Sequence, residues 1–103
     1  MSVELFRACA QVTMLYRDAP MSSGQKFVLR ELCDFAGPDG VAWPKQEALM
    51  VRTCLKRPAI IANTDALEVA GWLKRRRSTQ LEYVLNTEAI MSNTPPMDAP
   101  QRS

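Results

Sequence analysis

The chain has 103 residues, 47% of them apolar, and a formal net charge of +2. This leaves room for one packed domain and hardly more, and it excludes wholesale disorder. Histidine is absent and the cysteines, Cys9, Cys33 and Cys54, stand in no CxxC spacing. That excludes a structural zinc site and removes the commonest general base and most triad chemistry.

Residues 3–17 have a helical pattern. Glu4, Arg7, Gln11 and Asp18 fall on one stripe, and Leu5, Ala8, Val12 and Leu15 on another, widened by Cys9 and Tyr16. Pro20 is expected to end this helix. Glu4 and Arg7 flank only short apolar runs, which is not a signal-peptide pattern. No window approaches the roughly 20 apolar residues of a membrane span. A cytoplasmic protein without a membrane partner is expected.

Ser22 or Ser23 can cap a second helix, in which Val28, Leu29, Leu32, Phe35 and Ala36 recur at helical spacing. Gly37-Pro38-Asp39-Gly40 is a stop and turn signal, and Val41–Trp43 a candidate extended segment. Pro44 can open a short helix over 44–52 with Leu49 inward. Thr53-Cys54-Leu55 is a break. Pro58 restarts a helix to about Ala70, with Ile60, Leu67 and Ala70 on the core side and Gly71 as its natural terminator. The period then changes: Trp72–Arg76 and Leu81–Leu85 are candidate strands of a hairpin with a basic, polar tip. Residues 87–91 can form a helical turn. Beyond them, with Pro95, Pro96 and Pro100 among polar residues, a disordered tail is expected.

Charge is unevenly spread. Residues 43–86 carry eight Lys/Arg and four Asp/Glu, whereas the segments on either side are each net −1. A short helix, a break and a second helix have helix-turn-helix dimensions, and a hairpin directly after them stands where a wing would be. The expected class is mainly α with a small β-hairpin, a winged helix-turn-helix. Lys74, Arg75, Arg76 and Arg77, with Ser78 and Thr79 at the tip, would face phosphates.

The residues also resemble a known family. Ser23-Gly24-Gln25-Lys26, Gly40, Trp43-Pro44-Lys45-Gln46-Glu47-Ala48-Leu49 and Leu67-Glu68-Val69-Ala70-Gly71-Trp72-Leu73 resemble the winged helix-turn-helix domain of phage and plasmid replication proteins and related regulators. The resemblance covers residues 21 to about 86. It implies a domain at 21–86 that binds double-stranded DNA, flanked by an N-terminal helix (1–20) and a tail (87–103). The chain departs from the pattern in four places. Cys54 stands where glycine is usual in the turn, and Lys56 where serine caps the reading helix. Pro58, Ala59, Ile61 and Ala62 replace basic residues, and Thr64 replaces an inward leucine. Lys56 and Arg57 remain the charged candidates at the start of the reading helix, with Asn63 beside them.

Each feature has a plainer reading. Alone, the Arg75–Arg77 run is a solubilising turn; in a wing it becomes a phosphate contact. Lys45, Gln46 and Arg52 lie on or near the first helix of the motif, which often touches the backbone. Trp43 and Trp72 could stack on bases, but the favoured reading of both is as core aromatics. Ile61 faces outward, towards a thymine methyl or a protein partner. Residues 3–17 complete the domain or form a homodimer contact, the dimer being favoured because such proteins commonly read two half-sites. Glu31 and Asp34, one turn apart, read as surface residues and not as metal ligands. No metal, cofactor or enzymatic activity is expected. Three functions compete: a small transcriptional regulator of a mobile element, a replication-associated accessory protein, and a winged helix repurposed to bind or inhibit a protein. Arginines of the wing tied up by neighbouring carboxylates would end the reading of that run as a DNA contact.

Overall fold

A computed structural model describes residues 3–100. The outermost ends of the expected N-terminal helix (residues 1–2) and tail (residues 101–103) lie outside the described residues. The chain begins with a helix, α1, at Val3–Ala10, shorter than the expected 3–17. Gln11 and Val12 donate to Ala8 and Cys9 in tight closing bonds, and the chain then turns into a small hairpin, β1 (Met14–Tyr16) and β2 (Ala19–Pro20). Pro20 therefore sits in a strand and terminates no helix. The apolar spacing that suggested one long helix is used twice. Leu5 and Cys9 enter the core from α1, and Val12 and Leu15 enter it from extended chain. The extended form also frees the Leu15 carbonyl, which accepts the buried Trp72 indole N–H at 2.7 Å.

Helix α2 (Ser23–Phe35) starts with a capping box. Ser22 Oγ accepts the Gln25 N–H at 3.1 Å, and Gln25 Oε1 accepts the Ser22 N–H at 2.9 Å. It buries Val28, Leu29, Leu32 and Cys33. Lys26 Nζ donates to the Ala10 carbonyl at 2.8 Å, closing the end of α1. After the Gly37–Gly40 turn, β3 (Val41–Ala42) pairs with β5 (Leu81–Leu85), which pairs in turn with β4 (Leu73–Arg77). The expected hairpin is thus two strands of a three-stranded antiparallel sheet ordered β3-β5-β4. Helices α3 (Gln46–Thr53) and α4 (Arg57–Val69) lie between, and α5 (Thr87–Ser92) follows the sheet. The architecture is mainly helical with small antiparallel sheets, a winged helix-turn-helix.

The core gathers Leu29 and Leu32 of α2, Leu49 of α3, Ile60 and Leu67 of α4, Trp72, Tyr83, and Ile90 of α5. Cys9 and Cys33 are buried free thiols. A hydrogen bond to Cys9, together with burial, pushes the Cys33 thiol far up, which keeps it protonated. Helix α1 packs against α2 and α5 of its own chain, so its apolar side is consumed in completing the domain.

The segment after α5 is not the disordered tail expected from its composition. The Met97 carbonyl accepts the Arg17 N–H at 3.1 Å, Asp18 Oδ1 accepts the Ala99 N–H at 2.8 Å, and Pro96 lies over Gly71, where an added Cβ would meet it at 2.9 Å.

Candidate nucleic-acid interface

Trp43 and Pro44 lead from β3 into α3. Lys45 caps α3 and Lys56 caps α4, both through backbone conformation, and neither lysine side chain makes a capping hydrogen bond. Pro58 fits the first turn of α4 because the proline nitrogen has no hydrogen to leave unpaired. The first turn of α4 holds no acidic residue. The α4 start therefore presents unpaired donors and the positive end of the peptide dipoles, whereas the α3 start carries the Glu47 carboxylate in its first turn.

The connection between the helices is tight. Thr53 Oγ1 donates to the Leu49 carbonyl at 2.7 Å and accepts the Leu55 N–H at 3.2 Å. Cys54 adopts the left-handed conformation, φ 59°, and its N–H donates to Met50. Helix α4 turns Ile60, Thr64 and Leu67 inward. Thr64, in place of leucine, is accommodated because its hydroxyl donates within the helix to the Ile60 and Ile61 carbonyls, at 2.9 Å each. Facing outward are Arg57, Pro58, Ile61, Ala62, Asp65 and Val69. Asn63 is half-buried against Gly24 of α2, where its amide would meet an added Cβ at 3.0 Å, so it is turned away from that face.

The expected basic residues separate into two groups. The first group is held by acidic or amide side chains. Arg75 is clamped to α4: its backbone N–H donates to Glu68 Oε2 at 2.7 Å and its guanidinium to Glu68 Oε1 at 2.8 Å and to Asp65. The Arg75 N–H and then its guanidinium hold the Glu68 carboxyl below its ordinary value. Arg76 pairs with Glu82 directly across the hairpin at 2.8 Å. Arg52 reaches α2, pairing with Asp34 at 2.8 Å and Glu31 at 3.2 Å, and lies over the Phe35 ring. Glu31 and Asp34 are therefore the anchor of Arg52. Arg57 is held by Gln46 Oε1 at 2.5 Å and Glu47 Oε1 at 3.2 Å, with half of its side chain exposed.

The second group consists of Lys45, Lys56, Lys74 and Arg77. All are exposed, and among the described residues none has an ion pair or side-chain hydrogen bond. Lys45, Arg57 and Arg77 meet at a cleft of about 340 Å³ where the starts of both helices face the wing; Trp43, Gln46, Glu47, Gln80 and Leu81 also line it. Ser78 and Thr79 are exposed at the wing tip. Trp43 is not the core aromatic expected from its type: it is 52% exposed, whereas Trp72 is fully buried. Its base-stacking alternative is the one the exposure favours, and Gln80 and Leu81 join it without having been singled out in the sequence. The available signal was the motif Trp43-Pro44-Lys45, an aromatic leaving a two-residue strand immediately before a cationic helix cap. Among the described residues no helix is long and apolar enough to cross a membrane, and no cluster of His, Cys, Asp or Glu is placed to hold a metal ion.

A family model described as a helix-turn-helix domain matches residues 20–73, over half of the chain and spanning α2, α3 and α4. No curated protein and no solved structure matches the chain. With paired helices of the right size, a tight turn between them and a hairpin beside them, the chain belongs to the helix-turn-helix domain family, whose fold suggests DNA binding.

Proposed function

We propose that this chain binds double-stranded DNA chiefly through phosphates, as a small regulator of the kind the sequence resembles in mobile elements. The observation that carries the reading is the convergence of cations from the starts of α3 and α4 and from the wing on one cleft. Lys45 and Arg77 line the cleft with Arg57 between the two helix starts, and Lys56, the exposed cap of α4, adjoins Arg57 in the chain. Phosphate oxygens are the chemistry such a surface fits. Ser78 and Thr79 extend it along the wing, and Gln46 orients Arg57. Arg52, Arg75 and Arg76 are assigned to bracing the fold. The outer face of α4 offers Ile61 to a thymine methyl but few groups for base edges, so weak sequence preference is the expected behaviour.

Duplex binding followed over a salt series tests this. Replacing Lys45, Lys56 and Arg77 together by alanine should weaken binding to all sequences alike and reduce the salt slope by about three. An unchanged slope would overturn the assignment. A second reading has one observation in its favour: Pro58, Ile61, Ala62 and Val69 give α4 an apolar outer face, which suits a protein partner. Absence of duplex binding even at low salt would select it. A homodimer, if formed through residues 3–17, has to use what α1 leaves exposed, such as Val3, Glu4 and Arg7.

A further inference from the structure

We propose that the cleft beside the wing holds an unpaired nucleotide, its base stacked on Trp43 and its phosphate among Lys45, Arg57 and Arg77, so that the chain engages single-stranded DNA as well as duplex. The inference deepens the nucleic-acid reading given above and rests on it.

Phosphate contact explains the cations but leaves Trp43 unexplained. A tryptophan normally buries most of its large apolar surface, and Trp72 does so in this same fold. Trp43 instead stays half-exposed, and its surroundings are a walled cleft of about 340 Å³. That lies at the small end of the roughly 300–1,000 Å³ typical of ligand pockets. The wall chemistry is mixed in a particular way. It combines one aromatic face, positive charge from three elements, and the side-chain amides of Gln46 and Gln80. The carboxylate of Glu47 lines the cleft too, but it is spent on Arg57, which it and Gln46 hold in a fixed position. An aromatic platform within a cationic channel is the arrangement that binds single strands, because every unpaired base offers a π-face and every linkage a phosphate. Paired bases inside a duplex keep those faces covered by their neighbours and have nothing to offer an indole at the backbone. The outward face of α4 points the same way: with Pro58, Ile61, Ala62 and Asp65 exposed, it is poorly equipped to read a major groove.

The tryptophans make the test direct. Trp72 is fully buried, with its N–H bonded to Leu15, so a ligand at the surface leaves its emission unchanged. Titrating the whole chain with short oligothymidylate should quench the exposed Trp43 component. Trp43→Ala should weaken oligothymidylate binding about ten-fold or more, well beyond any change in affinity for a closed hairpin duplex, and be rescued by Trp43→Phe. Oligothymidylate that binds without quenching, or equally well to Trp43→Ala, overturns the inference while hairpin binding keeps the duplex reading intact. If neither ligand binds at low salt, both readings fall. Tighter binding of oligouridylate than of oligothymidylate would overturn the assignment to DNA.

Discussion

Cys54 holds the left-handed conformation, φ 59°, at the turn between α3 and α4, where the resemblance implies glycine. A residue with a Cβ is strained there by about 1 kcal/mol or more. The Cys54 side chain is exposed and packs no core, so its removal loses little. Cys54→Gly is therefore expected to stabilise the fold by about 0.5–1 kcal/mol, after the greater freedom of glycine in the unfolded chain is subtracted. Urea denaturation would read this as a higher midpoint at unchanged slope. This position was legible in the sequence through the family resemblance, which implies glycine where this chain has Cys54. The two tryptophans were not legible in the same way. Both are large and apolar, and what separates them is contact made at long range: Trp72 finds the Leu15 carbonyl 57 residues away, whereas Trp43 leaves the sheet as soon as Ala42 has paired with Tyr83. Residue type carried the same message for both, and topology decided between them.

At the scale of elements, the link between α4 and the wing is the contact most open to test. Arg75 ties β4 to Asp65 and Glu68 on α4, so it sets the angle of the hairpin against the helix. Both Arg75→Ala and Glu68→Gln should lower stability by about 1 kcal/mol, a charge-assisted bond discounted for partial exposure. Neither should change the salt slope of duplex binding, in contrast to the Lys45, Lys56 and Arg77 triple variant. The pH dependence has a definite sign. The carboxyl of Glu68 titrates lower in the folded chain than in the unfolded one. Its contribution is present above the unfolded value of about 4.3 and fades as pH falls through the depressed folded value. Chemical denaturation of wild type and Glu68→Gln should accordingly diverge near neutrality and converge in acid; a constant difference at every pH would remove the ion pair from the account. The hairpin was legible as two runs with a polar link. The roles of its arginines were not, because strand alternation sends Arg75 to the helix side while the register sets Arg76 opposite Glu82. A run of like residues in sequence becomes three different environments once paired.

Across the whole molecule, α4 separates two ends by roughly 20 Å of helix. Its start faces the cationic cleft; its end, at Gly71, is covered by Pro96 and lies beside the small hairpin held by the segment after α5. A tally of charge over residues 43–86 overstated the basic surface. Arg52 is neutralised by Glu31 and Asp34 from α2, outside that stretch, and no local count registers such a pairing. The same distance effect hid the order of the C-terminal segment: its prolines suggested freedom, but its backbone is pinned to Arg17 and Asp18 at the far end of the sequence. This division gives a clean separation of stability from binding. Ending the chain after Ser92 removes the cover of Gly71 and the bonds to the hairpin, and should cost about 1–2 kcal/mol for the lost burial and hydrogen bonds. The cleft lies at the other end of α4 and should keep its affinity for duplex per folded molecule, along with its salt slope. Thermal unfolding and duplex titration on the same shortened chain check both halves. A loss of binding without a loss of stability would mean that the segment after α5 serves the nucleic-acid surface directly, and would place that surface at the wrong end of the helix.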